Sequence, residues 1–409
     1  MAIERALIDE QTTNSIPHYE PYGWQHWPDH PWWSYQFRRG LGETQEGGGA
    51  VSEAFLAAAR MTPGDDESWF REWTRTAQAL HRHADEAEAA GHIQTAQNSW
   101  LRAANYYRQA EFWLDGDDRR RLKTFELMES CSKKFIAYLS PAGEAVEVPY
   151  ENGVSLCAYF VRSAYGDGKQ PVLISMGGLD SIKDEMWFMQ ARGALQRGIS
   201  VLMIDGPGQG GTLRRHQVFS RFDYEVPVGR CIDYLATRND VDMGRIAVCG
   251  SSLGGYYAAR AGSCDPRLAA CISHGAIWDL PSQLVDRDED WGLAKHFKWV
   301  MGAQSMQGVR EKIANFRLEG VLNRMTCPYL IVHGGYDVLG VAQARIVADY
   351  AAANGVDVTF HLVGEEQTGA DHCQHDNPTI AQEIIGDWLA EKFGIDERAL
   401  RQGRSIPQI

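Results

Sequence analysis

The sequence predicts an α/β protein with a doubly wound, mainly parallel β-sheet and a separate helical region before it. Two observations support this fold class. From about residue 146 onward, short apolar runs typical of buried strands alternate with helical segments, as in a sheet covered by helices on both faces. Between about residues 67 and 138, apolar side chains instead recur at helical spacing in a segment rich in Ala, Glu, Gln and Arg.

The helical region is predicted to contain three helices. Gly91 and the Asp-Gly-Asp turn at residues 115–117 divide it. Residues 96–114 resemble one unit of a helical-repeat scaffold, but no second copy follows, so a repeat array is not expected. The aromatic stripe of this segment is typical of a core. Asn105, Tyr106 and Arg108 lie on or near a face that could cover a pocket, and we take the first two as candidate pocket residues.

An aromatic-rich arm precedes the helical region. Residues 22–38 contain prolines and are predicted to be irregular, with aromatic side chains at Trp24, Trp27, Trp32, Trp33, Tyr35 and Phe37. An exposed patch of this size is unfavourable, so the arm is expected to pack against the rest of the protein. Its partner could be the neighbouring domain, a second subunit or the mouth of the active site.

The order of the remaining elements divides the chain into segments. A hairpin is predicted around residues 151–153, and a final helix over residues 379–393. We assign residues 1–50 to the arm, 51–140 to a helical cap domain, 141–397 to a catalytic domain and 398–409 to a C-terminal tail. Residues 278–322 interrupt the strand–helix alternation and could add a lid or a pocket wall, with Trp278 and Asp279 as candidate pocket residues.

Ser252 is the candidate nucleophile. It is the centre of the pentapeptide Gly-Ser-Ser-Leu-Gly at residues 250–254, which follows an apolar strand-like run and precedes a helix of small residues. Small residues two before and two after a serine are needed in the strained strand-to-helix turn called a nucleophile elbow. Gly250 and Gly254 meet this need.

A carboxylate and a histidine follow in the order that such a serine requires. Asp337 turns out of the predicted strand at residues 328–333, and His372 follows the predicted strand at residues 358–363. We expect His372 to take the proton of Ser252, while Asp337 fixes the imidazole tautomer and stabilises the imidazolium.

Other residues compete for these two roles. His375 could replace His372 as the base, and Asp371 or Asp376 could replace Asp337, although Asp371 is expected to cap a loop or lie at the surface. Three further histidines, in or after predicted strands, are His274, His333 and His361. The last two lie within apolar strands, where a structural histidine is expected.

The oxyanion hole should be formed by two backbone N–H groups. One is that of Leu253, and the other is that of Gly178 or Leu179, in the loop after the predicted strand at residues 171–176. The glycine-rich turn at residues 206–211 lacks the Gly-Lys-Ser/Thr ending of a phosphate loop and a full dinucleotide fingerprint. No nucleotide cofactor is expected there.

Composition excludes several classes of partner. The net charge is −14 and no long basic run is present, so neither nucleic acid nor an anionic membrane is an expected partner. The eight cysteines are scattered and several fall in strand-like runs, as expected of reduced core residues. With no apolar signal region and no membrane span in the sequence, we expect a soluble, cytoplasmic protein.

Several motifs together resemble one branch of the α/β-hydrolase superfamily. They are Gly-Gly-Leu-Asp-Ser at 177–181, Lys-Asp-Glu at 183–185, Asp-Gly-Pro-Gly-Gln-Gly at 205–210, the elbow at 250–255 and Asp-His-Cys at 371–373. The branch contains 2,6-dihydroxypseudooxynicotine hydrolase and the fungal heptaketide-shortening hydrolases of pigment synthesis, and the resemblance covers most of residues 50–395. It implies the α/β-hydrolase fold, an N-terminal helical cap, a serine triad without metal or cofactor, and a homodimer.

The resemblance also implies hydrolysis of a carbon–carbon bond next to a ketone in an aryl or polyketide-like substrate. Some such enzymes use an extra acid after the nucleophile helix, and this region of the chain offers Asp279, Asp286 and Glu289 without a clear match. A carbanion leaves far less readily than an alkoxide, unless a phenol-rich ring or a β-diketone delocalises its charge. A carboxylesterase or lactonase is therefore the alternative, and a non-hydrolytic binding or cyclising protein is a further one.

Overall fold

The computed structural model of the protein describes residues 25–402. Eight strands form one sheet: β1 (Glu144–Pro149), β2 (Ser155–Val161), β3 (Gln170–Met176), β4 (Ser200–Asp205), β5 (Val241–Ser251), β6 (Ala270–His274), β7 (Tyr329–Gly334) and β8 (Val358–Val363). Their order across the sheet is β1-β2-β4-β3-β5-β6-β7-β8. The first two strand pairs are antiparallel, and all pairs from β4 to β8 are parallel. The predicted doubly wound, mainly parallel sheet is confirmed.

Helices precede, connect and follow the strands. Those before the sheet are α1 (Pro31–Gly42), α2 (Val51–Ala58), α3 (Asp66–Ala89), α4 (Ile93–Glu111) and α5 (Arg119–Ala137). Those that connect or follow its strands are α6 (Arg192–Leu195), α7 (Gly210–His216), α8 (Glu225–Ala236), α9 (Leu253–Cys264), α10 (Leu280–Leu284), α11 (Ala294–Met301), α12 (Met306–Lys312), α13 (Val341–Ala353), α14 (Pro378–Lys392) and α15 (Glu397–Arg401). A π-helical segment, Trp187–Ala191, runs directly into α6.

The three predicted helices of the helical region are α3, α4 and α5. Asp65 caps α3 by accepting the N–H of Glu67, and Asp118 caps α5 by accepting the N–H of Arg120. Gly91 has a φ of +79°, which is why glycine can make the turn between α3 and α4. The hairpin predicted around residues 151–153 is the antiparallel pair β1–β2.

The aromatic arm differs from its prediction as an irregular segment. Residues 31–42 form α1, in which Pro31 occupies the first turn, where its missing N–H costs no hydrogen bond. Trp33 is buried and packs edge to face on Trp69 of α3, at a ring separation of 4.9 Å. The arm therefore packs against the helical region of the same chain. Tyr22 and Trp24, the first residues of the predicted segment, lie outside the described residues.

The sheet is covered on both faces. Every residue of β3 and β4 is buried, as expected of central parallel strands. Two apolar clusters lie on opposite faces of these strands; one contains Leu173 and extends into the helical region, and the other contains Ile174. Within residues 25–402, no helix is both long enough and apolar enough to cross a bilayer.

Buried ion pairs join the helical region to the loop after β3. Arg108 Nε donates to Glu185 Oε1 at 2.9 Å, and Arg121 Nη2 lies 2.6 Å from Asp180 Oδ2. Lys183 adds a third link, because its Nζ lies 2.9 Å from Glu129 Oε1 of α5. Charges this deeply buried are stable only when they are paired, so these contacts hold the helices in one position over the sheet.

Candidate active site

Ser252 lies in the sharp turn between β5 and α9. Its backbone has a φ of +60° and a ψ of −125°, a strained conformation for a residue with a side chain. A methyl group at Gly250 would overlap the carbonyl oxygen of Gly254, and one at Gly254 would overlap that of Gly177. Ser252 N–H donates to His274 O at 2.8 Å, which ties the turn to the end of β6. This is the backbone geometry that a nucleophile elbow requires.

Asp337 and His372 lie on two loops at the same edge of the sheet. Asp337 follows β7 and His372 follows β8, and Tyr336 N–H of the first loop donates to Ala370 O of the second at 2.8 Å. Gly334 allows this close approach, because any side chain there would overlap the second loop. His372 Nδ1 then lies 2.7 Å from Asp337 Oδ1. With the hydrogen of this contact on Nδ1, the lone pair of a neutral ring is on Nε2, which lies 3.7 Å from Cys373 Sγ.

Burial and charge shift the pKa values of Asp337 and His372 in opposite directions. Burial alone would lower the pKa of His372, but the charge of Asp337 and their hydrogen bond outweigh it and raise that pKa well above its usual value. Burial would raise the pKa of Asp337, but the charge and hydrogen bond of His372 hold it at about 2. Asp337 therefore remains a carboxylate that stabilises a protonated His372.

Ser252 and His372 both line one cavity of about 440 Å³. Most of the rest of its wall comes from α1, the segment after β3 and residues 277–297, and a few residues after α4 and in the loops after β7 and β8 complete it. The aromatic and aliphatic side chains in this wall are Trp32, Tyr35, Phe112, Leu179, Met186, Met189, Leu253, Ile277, Leu280, Leu284, Trp291, Leu293, Phe297, Val338 and Leu339. The cavity is large and apolar enough to hold an aromatic molecule against the serine.

The loop after β3 lies against the turn at Ser252, where the predicted oxyanion donors Gly178, Leu179 and Leu253 meet. A methyl group at Gly178 would lie 2.8 Å from Leu253 N, so the two backbones are in direct contact. The N–H of Gly178 donates to Ser181 Oγ at 3.0 Å. Of the two predicted donors in this loop, Leu179 is therefore the better placed to share an oxyanion with Leu253.

The residues that compete with the Asp337–His372 pair have other contacts. Asp371 accepts the N–H of His372 and lies 2.6 Å from Arg38 Nη2. Asp376 accepts the N–H groups of Gly369 and Asp371 at 2.7 and 3.2 Å. Both carboxylates thus shape the loop that carries His372. His375 lines the cavity, and its Nδ1 is buried without a hydrogen-bond partner among the described residues.

The three remaining histidines occupy different environments. His274 is buried, with Nε2 2.6 Å from Gln374 Oε1 and Nδ1 3.1 Å from Ser251 Oγ, and burial lowers its pKa to about 4. His333 is buried in β7 behind Asp337, whose Oδ2 lies 3.8 Å from its Nδ1. His361 is exposed on the edge strand β8. None of them lines the cavity.

The structure places the four predicted pocket residues outside this cavity. Asn105 donates to Glu43 and to Gly48 O, and Tyr106 donates to Glu53 and stacks on Trp73. Trp278 packs on Tyr350 at a ring separation of 4.7 Å, and Asp279 lies 3.7 Å from Arg317. Each of these side chains is used in a packing, hydrogen-bonding or ion-pair contact with a neighbouring segment and not in the cavity wall.

The candidates for an extra acid also lie elsewhere. Asp286 and Glu289 are exposed, and Glu289 pairs with Lys298 at 2.7 Å. The described residues that line the cavity include no aspartate or glutamate. The sequence interpretation missed the polar side chains that do line it: Gln36, Arg39, Gln283, Arg287 and His296. Two features of the sequence pointed to segments that carry these residues. They are the many aromatic residues of the arm and the interruption of the strand–helix alternation at residues 278–322.

Two protein-family models match the chain, and two similar proteins align over most of it. The model of a family described as "Esterase FrsA-like" matches residues 64–289, and that of the prolyl oligopeptidase family matches residues 187–396. The chain is 36% identical to the hydrolyase poxO of Penicillium oxalicum over 346 residues, which are 73% of this chain and 81% of the relative. It is 33% identical to the 20-hydroxy-prefusarin hydrolase FUS2 of Gibberella moniliformis over 338 residues, 73% of this chain and 80% of the relative.

A solved structure is similar over most of the chain. The crystal structure of the 2,6-dihydroxy-pseudo-oxynicotine hydrolase superposes with a TM-score of 0.72 and 28% sequence identity. The match covers 86% of this chain and 95% of the other. It therefore includes the helical region as well as the sheet.

Proposed function

The chain belongs to the α/β-hydrolase superfamily, in the branch of these fungal hydrolases and the 2,6-dihydroxy-pseudo-oxynicotine hydrolase, and we propose that it hydrolyses a carbon–carbon bond next to a ketone. The substrate would be an aryl ketone, a β-diketone or a polyketide-like molecule. Ser252 would be the nucleophile, His372 the base and Asp337 the residue that orients it.

One observation carries the proposal of a serine hydrolase. The hydrogen-bonded pair of Asp337 and His372 lies at the same cavity as Ser252, whose backbone is held in a strained turn. A passive binding protein would gain nothing from this strain, whereas a nucleophile needs the exposed position that the turn provides.

The proposed reaction begins with attack of Ser252 Oγ on the ketone carbon, while His372 Nε2 takes the hydroxyl proton. The N–H groups of Leu253 and Leu179 would bind the oxyanion. When the tetrahedral intermediate collapses, the carbon–carbon bond breaks and its electron pair stays on the leaving carbon, which takes the proton from His372. Water then attacks the acyl-serine with His372 again as base, and releases the carboxylic acid.

The carbon–carbon assignment is supported by the relatives and by the cavity wall. Relatives named for 20-hydroxy-prefusarin and 2,6-dihydroxy-pseudo-oxynicotine align over most of the chain. The leaving carbanion must be delocalised, and a hydroxylated ring or a β-dicarbonyl can do this. Aromatic side chains such as Trp32, Phe112 and Phe297 provide an apolar surface for a ring of this kind.

Ester hydrolysis is the second candidate. The match of residues 64–289 to a family described as "Esterase FrsA-like" favours it. Ester hydrolysis would use the same serine, oxyanion hole and acyl-enzyme. It needs no stabilised carbanion, because an alkoxide leaves more readily.

The test compares the wild type with Ser252→Ala on a short aryl ester and on an acylated polyhydroxyaromatic ketone, with products identified by mass. Serine-dependent ketone cleavage at a rate that matches the ester supports the carbon–carbon proposal. Fast ester cleavage with the ketone untouched would favour the esterase.

Labelling with a fluorophosphonate tests the nucleophile separately. A fluorophosphonate that adds no mass to the wild type, or adds it equally to Ser252→Ala, would refute Ser252 as nucleophile.

A further inference from the structure

His296 forms a second histidine–carboxylate pair at the cavity. It lies on α11, lines the cavity and places Nδ1 3.0 Å from Asp180 Oδ2. Its ring packs on Phe112 at 4.7 Å and on Trp113 at 5.7 Å. The proposed reaction does not use this pair.

Asp180 is held as a carboxylate by two arginines. Arg121 Nη2 lies 2.6 Å from its Oδ2, and Arg214 Nη2 lies 3.2 Å from its Oδ1. Burial opposes ionisation, but the charge of Arg121 and the hydrogen bond of His296 outweigh it and hold the pKa of Asp180 well below its usual range. An ionised carboxylate can only accept hydrogen bonds, so Nδ1 of His296 carries the hydrogen in this contact.

The other ring nitrogen of His296 is then an acceptor. Burial lowers the pKa of His296, so the ring is neutral at neutral pH and Nε2 carries a lone pair. Nε2 is buried and has no hydrogen-bond partner among residues 25–402. Most buried polar atoms in proteins are satisfied, so this unpaired acceptor, on a residue that lines the cavity, indicates a missing donor.

The position of the pair indicates where that donor lies. Asp180 directly follows Leu179, the proposed oxyanion donor, so His296 is anchored to the oxyanion loop. Phe297, next to His296, also lines the cavity, as does Phe112. His296 therefore lies on the same cavity as Ser252, beside two aromatic side chains that can pack on a ring.

We propose that His296 Nε2 accepts a hydrogen bond from a hydroxyl group of the substrate, and so selects aryl ketones or enolised ketones that carry a phenolic or enolic hydroxyl. The inference rests on the proposed function, because it takes the ligand of the cavity to be the substrate of Ser252. His296 is then a specificity-determining residue, and Asp180 is a positioning residue that fixes its tautomer.

The test uses two probes, a 2,6-dihydroxyphenyl alkyl ketone and its dimethyl ether. The ratio of their kcat/KM values measures selection for the hydroxyl. His296→Leu is expected to lower this ratio about tenfold or more, because a buried acceptor is lost. His296→Gln, which offers a carbonyl acceptor near the position of Nε2, should retain part of the ratio. Lys298→Gln on the same helix, whose partner Glu289 is exposed, is the matched control and should keep the wild-type ratio.

Binding separates this inference from the proposed function. The two ketones are titrated by calorimetry into Ser252→Ala and into Ser252→Ala/His296→Leu. Tighter binding of the hydroxylated ketone that depends on His296 supports the inference, even if the wild type cleaves only esters and the proposed carbon–carbon function fails. Equal binding of the two ketones, binding of neither, or a ratio unchanged in His296→Leu would overturn the inference.

Discussion

Nδ1 of His372 lies 2.7 Å from Oδ1 of Asp337, and this hydrogen bond leaves Nε2 as the ring nitrogen that the proposed reaction uses as a base. The two residues come from loops that follow neighbouring strands and are tied together by their backbones. Because Asp337 raises the pKa of His372 well above its usual value, the pair also determines the pH at which the base is neutral.

The first prediction concerns pH. A general base must be neutral, so kcat/KM for a short aryl ester should rise with pH through an apparent pKa above about 6.5, the usual value for histidine. Asp337→Asn should lower kcat by about 10⁴. It should also move the rise to lower pH, because burial, which lowers the pKa of His372, is no longer opposed by a carboxylate. An unchanged pH profile in Asp337→Asn would contradict the assignment of the pair.

The second prediction separates the two histidines of the loop. His372→Ala should lower kcat by on the order of 10³ to 10⁴, while the free energy of unfolding changes little by comparison. His375→Ala should lower kcat less than about tenfold, because Asp337 contacts His372 and not His375. Far-ultraviolet circular dichroism and urea unfolding of both variants check the fold. The reverse order of the two rate losses would transfer the base role to His375.

The third prediction concerns the turn at Ser252. Gly250→Ala should abolish labelling by a fluorophosphonate and destabilise the fold, because the added methyl group overlaps the carbonyl oxygen of Gly254. Gly244→Ala is the control, since the nearest atom to its added methyl group, Asp242 Oδ1, lies at an ordinary 3.4 Å. Intact protein mass measures labelling, and urea unfolding measures stability. Equal labelling of the two variants would show that the turn tolerates a side chain.

The sheet and the elbow could be predicted from the sequence because their signals are local. Each buried parallel strand is a short apolar run, and the elbow requires glycines at fixed distances from Ser252. The loops that carry Asp337 and His372 follow two such runs, so the chain order alone placed both at one edge of the sheet. The structure adds their hydrogen bond, which joins residues 35 positions apart.

The cavity wall could not be predicted because it depends on contacts between distant segments. Tyr35 of α1, Gln283 of α10 and His375 meet in one wall although long stretches of chain separate them. Asn105 and Tyr106 lie on a helix face that other segments cover, through Glu43 of the arm and Glu53 of α2. Helical periodicity shows that a face is polar, but not which neighbour covers it.

The last prediction concerns the ion pairs that hold the helical region on the sheet. Arg108→Leu should lower the free energy of unfolding by about 1.5–3 kcal/mol, because a buried hydrogen bond between charged groups is lost while Glu185 keeps Arg39 of α1, whose Nη2 lies 2.5 Å away. The helices should remain attached, because the Arg121–Asp180 and Lys183–Glu129 pairs still join the helical region to the loop after β3. Urea unfolding followed by tryptophan fluorescence measures the loss.

Arg120→Leu is the matched control in the same helical region. Its partners Glu67 and Asp118 have 63% and 22% of their side-chain surfaces accessible, and solvent screens pairs of this kind. The control should therefore lose less than about 1 kcal/mol. If the two variants lose similar amounts of unfolding free energy, burial does not determine how much the Arg108–Glu185 pair contributes to stability. A large loss in Arg108→Leu alone, with the rate on a short aryl ester falling in parallel, would show that these pairs position the wall of the Ser252 cavity.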